Sequence, residues 1–239
     1  MMDISIITSH GMIERHGFVD LGLSVKWASC NIGSSSPIDP GSYFAWGETT
    51  PKHIFTWKNY RFCDFKENGD ILLSKYFDDA KESDETIRRP LIQWRNIASG
   101  MMLNDLVLTH LDHRTRLERN DDAAHSNWGG SWRMPTIEEM DELIYECSWD
   151  PCNIGGKRGC LGRSQKNGAS IFLPYTGWWG ESYHDEEVAC LWSSSLRPDF
   201  SFEAYGIEFG WFDYLHDYHI KWAICSRHFG LPIRPVSSE

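Results

Sequence analysis

Residues 127–136 read Asn-Trp-Gly-Gly-Ser-Trp-Arg-Met-Pro-Thr, and residues 137–144 continue as Ile-Glu-Glu-Met-Asp-Glu-Leu-Ile. This stretch joins an aromatic loop to a strongly signalled helix. Thr136 and Glu139 have the Thr-x-x-Glu spacing of a capping box, in which each side chain accepts a hydrogen bond from an open backbone N–H at the helix start. Pro135 holds the residue before it in an extended conformation. The pattern therefore predicts a helix over about 136–147.

The predicted helix is amphipathic. Apolar side chains recur along it at helical spacing, at Ile137, Met140, Leu143, Ile144 and Cys147. Such a stripe is typical of a helix that covers a core with one face. We expect this helix to be buried on that face.

Seven further sequence blocks surround this stretch. In chain order they are Phe18–Leu23, Val25–Gly33, Gly41–Pro51, Asp121–Ala124, Ile171–Pro174, Leu191–Ser195 and Ile233–Val236. Together with residues 127–136 they resemble the FISUMP family, the major paralogous domain of bacteria. The resemblance covers residues 17–236, apart from a long central insertion, and many short blocks in order are more specific than any single block.

The resemblance implies an α+β fold of the C-type-lectin-like kind, close to the formylglycine-generating-enzyme type. In that fold short, irregular strands present a variable surface near the C-terminus. A fold does not by itself imply an activity. The enzymes of this type bind copper through a close pair of C-terminal cysteines, whereas here Cys225 stands alone and Cys190 is distant in sequence. We therefore expect no enzyme activity and no cofactor.

The length favours one domain. A chain of 239 residues can bury a full core. Residues 1–16 are predicted to form a leader or linker, and residues 17–239 a single domain with an insertion at 61–120. Four residues of the insertion are spaced for one helix face, which predicts a helical insertion at about 78–119: Leu103, Leu106, Val107 and Leu111. It is either a cover on the core or an arm for docking or homo-oligomer formation.

Charge limits the class of partner. The formal net charge of −11 argues against nucleic acid, because an acidic body repels a polyanion. No stretch is long enough to cross a membrane, so we expect no membrane insertion. Met1–His10 lacks the basic region and apolar length of a secretory signal, which predicts cytosolic synthesis. A cell-surface or virion destination by another route stays open.

Residues 197–228 form the candidate binding surface. They crowd aromatic, acidic and histidine side chains without the alternation of a buried strand pair. Such side chains supply contact area and hydrogen bonds at modest entropic cost. The predicted ligand-binding residues are Arg197, Asp199, Phe200, Phe202, Tyr205, Phe212, Asp213, Tyr214, His216, Asp217, Tyr218, His219, Lys221, Arg227 and His228. Phe209, Trp211 and Trp222 are expected to fill the core instead.

A metal site in this segment is not predicted. Its carboxylates and imidazoles are suitable ligand types, but two histidines in a polar segment are more often surface contacts: Asp213, His216, Asp217 and His219. The segment is therefore interpreted as a contact surface for a protein or glycan ligand.

The resemblance also extends to proteins that retroelements diversify, since these use a similar lectin-like fold and vary in the C-terminal region. Randomised adenines convert asparagine codons into codons for Asp, Tyr, His and others. Relatives are rich in asparagine here, whereas this chain has none in 197–239. The resemblance thus implies a diversified binding protein. The alternative is a structural or assembly module of a cell-surface or phage structure.

Overall fold

The computed structural model describes residues 9–65, 71–78, 112–184, 188–198, 200–212 and 217–239. For Leu72, Trp211, Phe212, Asp217 and His219 the description is limited to the backbone. Antiparallel strands dominate the described residues, and the helices are few and short. This architecture is compatible with the α+β class expected from the sequence.

The first sheet joins the two ends of the described chain. Its antiparallel order is β1–β2–β3–β14, with strands Gly11–Ile13, His16–Val19, Lys26–Ala28 and Val236–Ser237. Strand β1 lies inside the segment 1–16 that was expected to be a leader or linker. The Trp132 indole also donates a hydrogen bond to the Ile13 carbonyl at 3.0 Å. The domain therefore begins no later than Gly11, because these residues are paired into the sheet.

Two three-stranded antiparallel sheets make up most of the rest. One has the order β6–β7–β8, with strands Cys147–Ile154, Lys157–Ser164 and Ser170–Pro174. The other has the order β11–β12–β13, with strands Val188–Leu196, Glu203–Phe212 and Asp217–Ser226. Two small hairpins complete the strands, β4 (Cys63–Phe65) with β5 (Ile71–Leu73) and β9 (Trp178–Trp179) with β10 (Tyr183–His184).

The longer helix confirms the capping-box prediction. Helix α1 spans Ala123–Trp128 and helix α2 spans Ile137–Tyr145. At the start of α2 the Glu139 N–H donates to Thr136 Oγ1 at 3.3 Å, and the Thr136 N–H donates to Glu139 Oε2 at 2.9 Å. Met140, Leu143 and Ile144 are buried as expected. Cys147 is also buried, but it begins β6.

The described part of the insertion contains no α-helix, and only its last two residues enter a short 3-10 helix (Arg119–Asp121), which corrects the prediction. Its first part forms the β4–β5 hairpin, and Arg116 bridges Ser195 of β11. The Asp112 carboxylate accepts hydrogen bonds from the backbone N–H groups of Tyr76 and Phe77 at 2.9 and 2.7 Å, which ties residues 76–77 to residue 112. The predicted helix at 78–119 is therefore wrong over 112–118. Residues 79–111, and with them the predicted oligomer arm, lie outside the described residues.

Helix α2 covers one face of the β11–β12–β13 sheet. Its stripe packs with Ala189 and Leu191 of β11 and with Ile207 and Phe209 of β12. The opposite face of the sheet belongs to a larger aromatic core that includes Trp46, Trp57, Tyr60, Tyr76 and Trp192. The C-terminal sheet is therefore buried between two apolar layers along β11 and β12.

Two fully buried arginines fasten distant segments together. Arg227 donates to the Tyr60 hydroxyl at 2.9 Å and to the carbonyls of Ser201 at 2.9 Å and Lys75 at 3.0 Å. Arg234 donates to Asn31 Oδ1 at 2.6 Å and to the carbonyls of Ser29 and Phe172 at 3.0 and 3.1 Å. A buried charge needs such a complete set of acceptors. These contacts hold loops that lack regular secondary structure in place.

Candidate binding surface

The predicted binding segment 197–228 contains an antiparallel hairpin. Strands β12 and β13 pair without a register shift, from Glu203 opposite Ser226 to Phe212 opposite Asp217. Strand β11 lies on the other side of β12, so β13 is the outer strand of this sheet among the described residues. The hairpin therefore offers one long edge.

Three of the predicted ligand-binding residues belong to the core, which corrects the prediction. Phe202, Arg227 and His228 are 6%, 0% and 3% exposed. His228 lies 4.5 Å from the ring centroid of Trp57, and its Nδ1 is 2.8 Å from the Ser226 hydroxyl. Phe202 packs edge-on against Trp57 at 5.6 Å. These side chains support the base of the hairpin and cannot meet a ligand at the surface.

The other predicted residues fall into four groups. Arg197 is paired with Glu203, and its guanidinium lies 5.9 Å from the ring of Phe200. Tyr205, Tyr218 and Lys221 are half-buried on the two strands. The structure describes only the backbone of Phe212, Asp217 and His219. Asp199, Asp213, Tyr214 and His216 lie outside the described residues.

Trp222, which was expected to fill the core, is instead 50% exposed. It lies opposite the fully buried Ile207 on the face that α2 covers, but α2 packs over β11 and β12 and reaches only the margin of β13. The indole N–H donates a hydrogen bond to the carboxylate of Asp141 in α2. Phe209 is fully buried, as predicted. For Trp211 the structure describes only the backbone.

Ile224 is the residue that sequence reasoning missed. It is 49% exposed and lies opposite Tyr205 on the same face as Trp222. The alternation of Ile220, Trp222 and Ile224 is the signal that places them on one face, because strand side chains have a period of two. The sequence alone does not show how far α2 extends across that face of the sheet. We call Trp222, Ile224 and the outer backbone edge of β13 the edge surface.

Helix α2 gives the edge surface an acidic border. Glu138 and Tyr145 are spaced one turn from Asp141, so they share its side of the helix. Tyr145 is 71% exposed. A hydrogen bond from Thr136 and one from the backbone lower the pKa of Glu138, and its carboxylate lies 3.2 Å from Arg116. Negative charge therefore stands beside two half-exposed apolar side chains.

A cleft of about 270 Å³ lies at the far end of the hairpin. Its lining residues are Pro151, Cys152, Asn153, Arg158, Gly159, Tyr175 and Tyr218. The Arg158 guanidinium lies 5.8 Å from the ring centroid of Tyr175. The hydroxyl of Tyr175 is buried. The cleft offers mainly aromatic and cationic contacts.

The buried thiols are poorly suited to nucleophilic chemistry. Burial raises the pKa of Cys147 to about 11 and that of Cys160 to about 12. The thiolate is the reactive form, so both groups stay protonated and inert near neutral pH. Within the described ranges, no group of three His, Cys, Asp or Glu side chains could hold a metal ion.

Comparison with protein-family models, with curated proteins and with solved structures gives no match. The family resemblance therefore rests on the sequence blocks alone. Over the part of the chain that the structure describes, no helix has the length and apolar character needed to span a membrane.

The burial of His228 predicts an acid-sensitive fold. Burial lowers the pKa of His228 to about 3, whereas an unfolded histidine titrates near 6.5. Between these values the unfolded state binds one more proton, so the free energy of unfolding falls as pH falls, by at most about 1.4 kcal/mol per pH unit. His228→Gln should flatten this dependence in urea unfolding from pH 7 to 4.

Exposed His53 offers the matched control. His53→Gln should leave the pH slope of the wild type unchanged. An H228Q slope equal to that of the wild type would show that His228 is not buried in its neutral form.

Proposed function

We propose that the protein is a non-enzymatic binding domain that presents the β12–β13 hairpin to a macromolecular ligand, protein or glycan. The observation that carries this proposal is the edge surface, where Trp222 and Ile224 are 50% and 49% exposed side by side. Contiguous exposed apolar groups rimmed by polar ones are typical of interaction sites. Tryptophan is also among the residues that contribute most to binding energy.

Complete burial of a large apolar side chain is worth about 1.5–3 kcal/mol, so covering two half-exposed ones gains about the same in total. Apolar contact of this kind favours a protein ligand over a glycan.

We also propose that the chain belongs to the FISUMP family and has its C-type-lectin-like fold. The support is the order of the sequence blocks, together with the well-formed capping box of Thr136 and Glu139. Retroelement diversification is part of the same proposal. It fits the exposed positions of the hairpin, whereas buried Phe202, Arg227 and His228 would not tolerate it.

Sequencing the gene across a population of its host tests diversification. We expect substitutions at the solvent-facing positions within codons 197–228 and constancy at the buried ones. Codons 197–228 as uniform as codons 127–144 would exclude diversification.

Truncation of the edge surface tests the binding role. The double variant Trp222→Ala with Ile224→Ala should weaken capture of ligand from host extracts or glycan arrays at least about 30-fold, because two anchors at about 1 kcal/mol or more each are lost. The affinity of purified variants for each captured ligand is the measurement.

Ile54 is a matched control, since it is 64% exposed and belongs to a different loop. Ile54→Ala should bind as the wild type does. Equal affinity of the folded double variant and the wild type would refute the proposed surface.

A further inference from the structure

We infer that the ligand is a protein that adds an extended, basic segment as a further antiparallel strand to β13. This inference rests on the proposed function, because it uses the edge surface. It goes further by naming the chemical class of the partner and the way in which it docks.

The backbone N–H and C=O groups of β13 alternate in direction along the strand. The Arg227 N–H donates to the Phe202 carbonyl at 2.9 Å, just beyond the register pair of Glu203 and Ser226. In an antiparallel ladder, inward-facing residues recur at every second position. The N–H and C=O groups of Cys225, Ala223 and Lys221 therefore face β12.

The alternate residues consequently face outward. The N–H and C=O groups of Ile220, Trp222 and Ile224 point away from β12, and no described residue pairs with them. A row of open backbone groups is a template for another strand. The edge therefore has several donors and acceptors spaced for strand addition.

The residues with outward-facing backbone groups also carry the exposed side chains. Trp222 and Ile224 project from one face at the edge, at positions i and i+2. An added strand would place its own alternate side chains next to them, which is the mode in which backbone bonds give affinity and side chains give specificity. A glycan cannot pair with this backbone row in the same way.

The outer edge of β13 has little protection against pairing with another strand. Natural edge strands are often blunted by proline or by charged side chains. Between Ile220 and Ile224 there is no proline, and the one charged residue is Lys221, whose Nζ lies 3.7 Å from the Glu208 carboxylate. Lys221 projects from the face opposite to Trp222, because strand neighbours alternate.

The edge surface has a negatively charged border. Asp141 touches Trp222, whereas Glu138 one turn away is paired with Arg116, and the whole chain carries a formal net charge of −11. Complementary charge raises the rate and selectivity of association. A segment that presents both apolar and basic side chains on the face toward α2 fits this border. A second copy of the chain would bring the same acidic charge and is disfavoured.

Synthetic peptides test this inference directly. The probe is a ten-residue peptide in which every second residue is threonine, and lysine and valine alternate at the positions between, so that both lie on the same face. One comparison peptide has glutamate in place of lysine, and another carries N-methyl groups on the backbone nitrogens of one edge. We expect a Kd of about 10–100 µM for the lysine peptide by calorimetry, and at least 10-fold weaker binding for both comparison peptides. The lysine peptide should also bind less tightly at higher salt.

The possible outcomes distinguish a failure of strand addition from a failure of the proposed binding function. Equal binding of the N-methylated peptide would overturn strand addition, and so would no binding by any peptide. Equal binding of the glutamate peptide would overturn the charge argument. If W222A/I224A binds the lysine peptide as the wild type does, the docking site is wrong. Whether that double variant still captures ligand from host extracts decides the proposed function separately.

Discussion

The structure depends on the buried guanidinium of Arg227. It draws the backbone at Lys75 and Ser201 and the hydroxyl of Tyr60 to one point, and it lies 4.9 Å from the ring centroid of Trp46. Its acceptors are carbonyls and a phenol, in an aromatic core where an unpaired cation would be very costly. Each carbonyl left without a donor would cost about 1–3 kcal/mol. The base of the β12–β13 hairpin is therefore held from three directions.

That anchoring explains why the exposed groups lie along β13. With its base inside the aromatic core, the hairpin packs one face of β12 beneath α2, and the cover leaves about half of Trp222 and of Ile224 exposed. The arrangement leaves a narrow apolar strip between an acidic helix and an open strand edge. The strip lies on a rigidly held hairpin, so little conformational entropy is lost when a partner binds. Such rigidity suits a binding surface.

The sequence predicted local features well and burial poorly. The capping box of Thr136 and Glu139 depends on neighbours in the chain, so its spacing alone was sufficient. Burial of Arg227 and His228 depends on Tyr60 and Trp57, which are more than 150 residues away in sequence, and composition cannot reveal such contacts. Trp222 was misassigned for a similar reason: its exposure is set by where α2 stops. The same limit applied to residues 112–118, which bond to residues 76–77 and to β11 instead of forming a helix.

Hydrogen exchange of the β13 amides in the free protein is the most direct test of the open edge. The account predicts an alternating pattern, in which the amides of Ile220, Trp222 and Ile224 exchange rapidly and those of Lys221, Ala223 and Cys225 are protected by β12. Uniform protection along the strand would contradict the account, because it would mean that the outer edge of β13 is already paired.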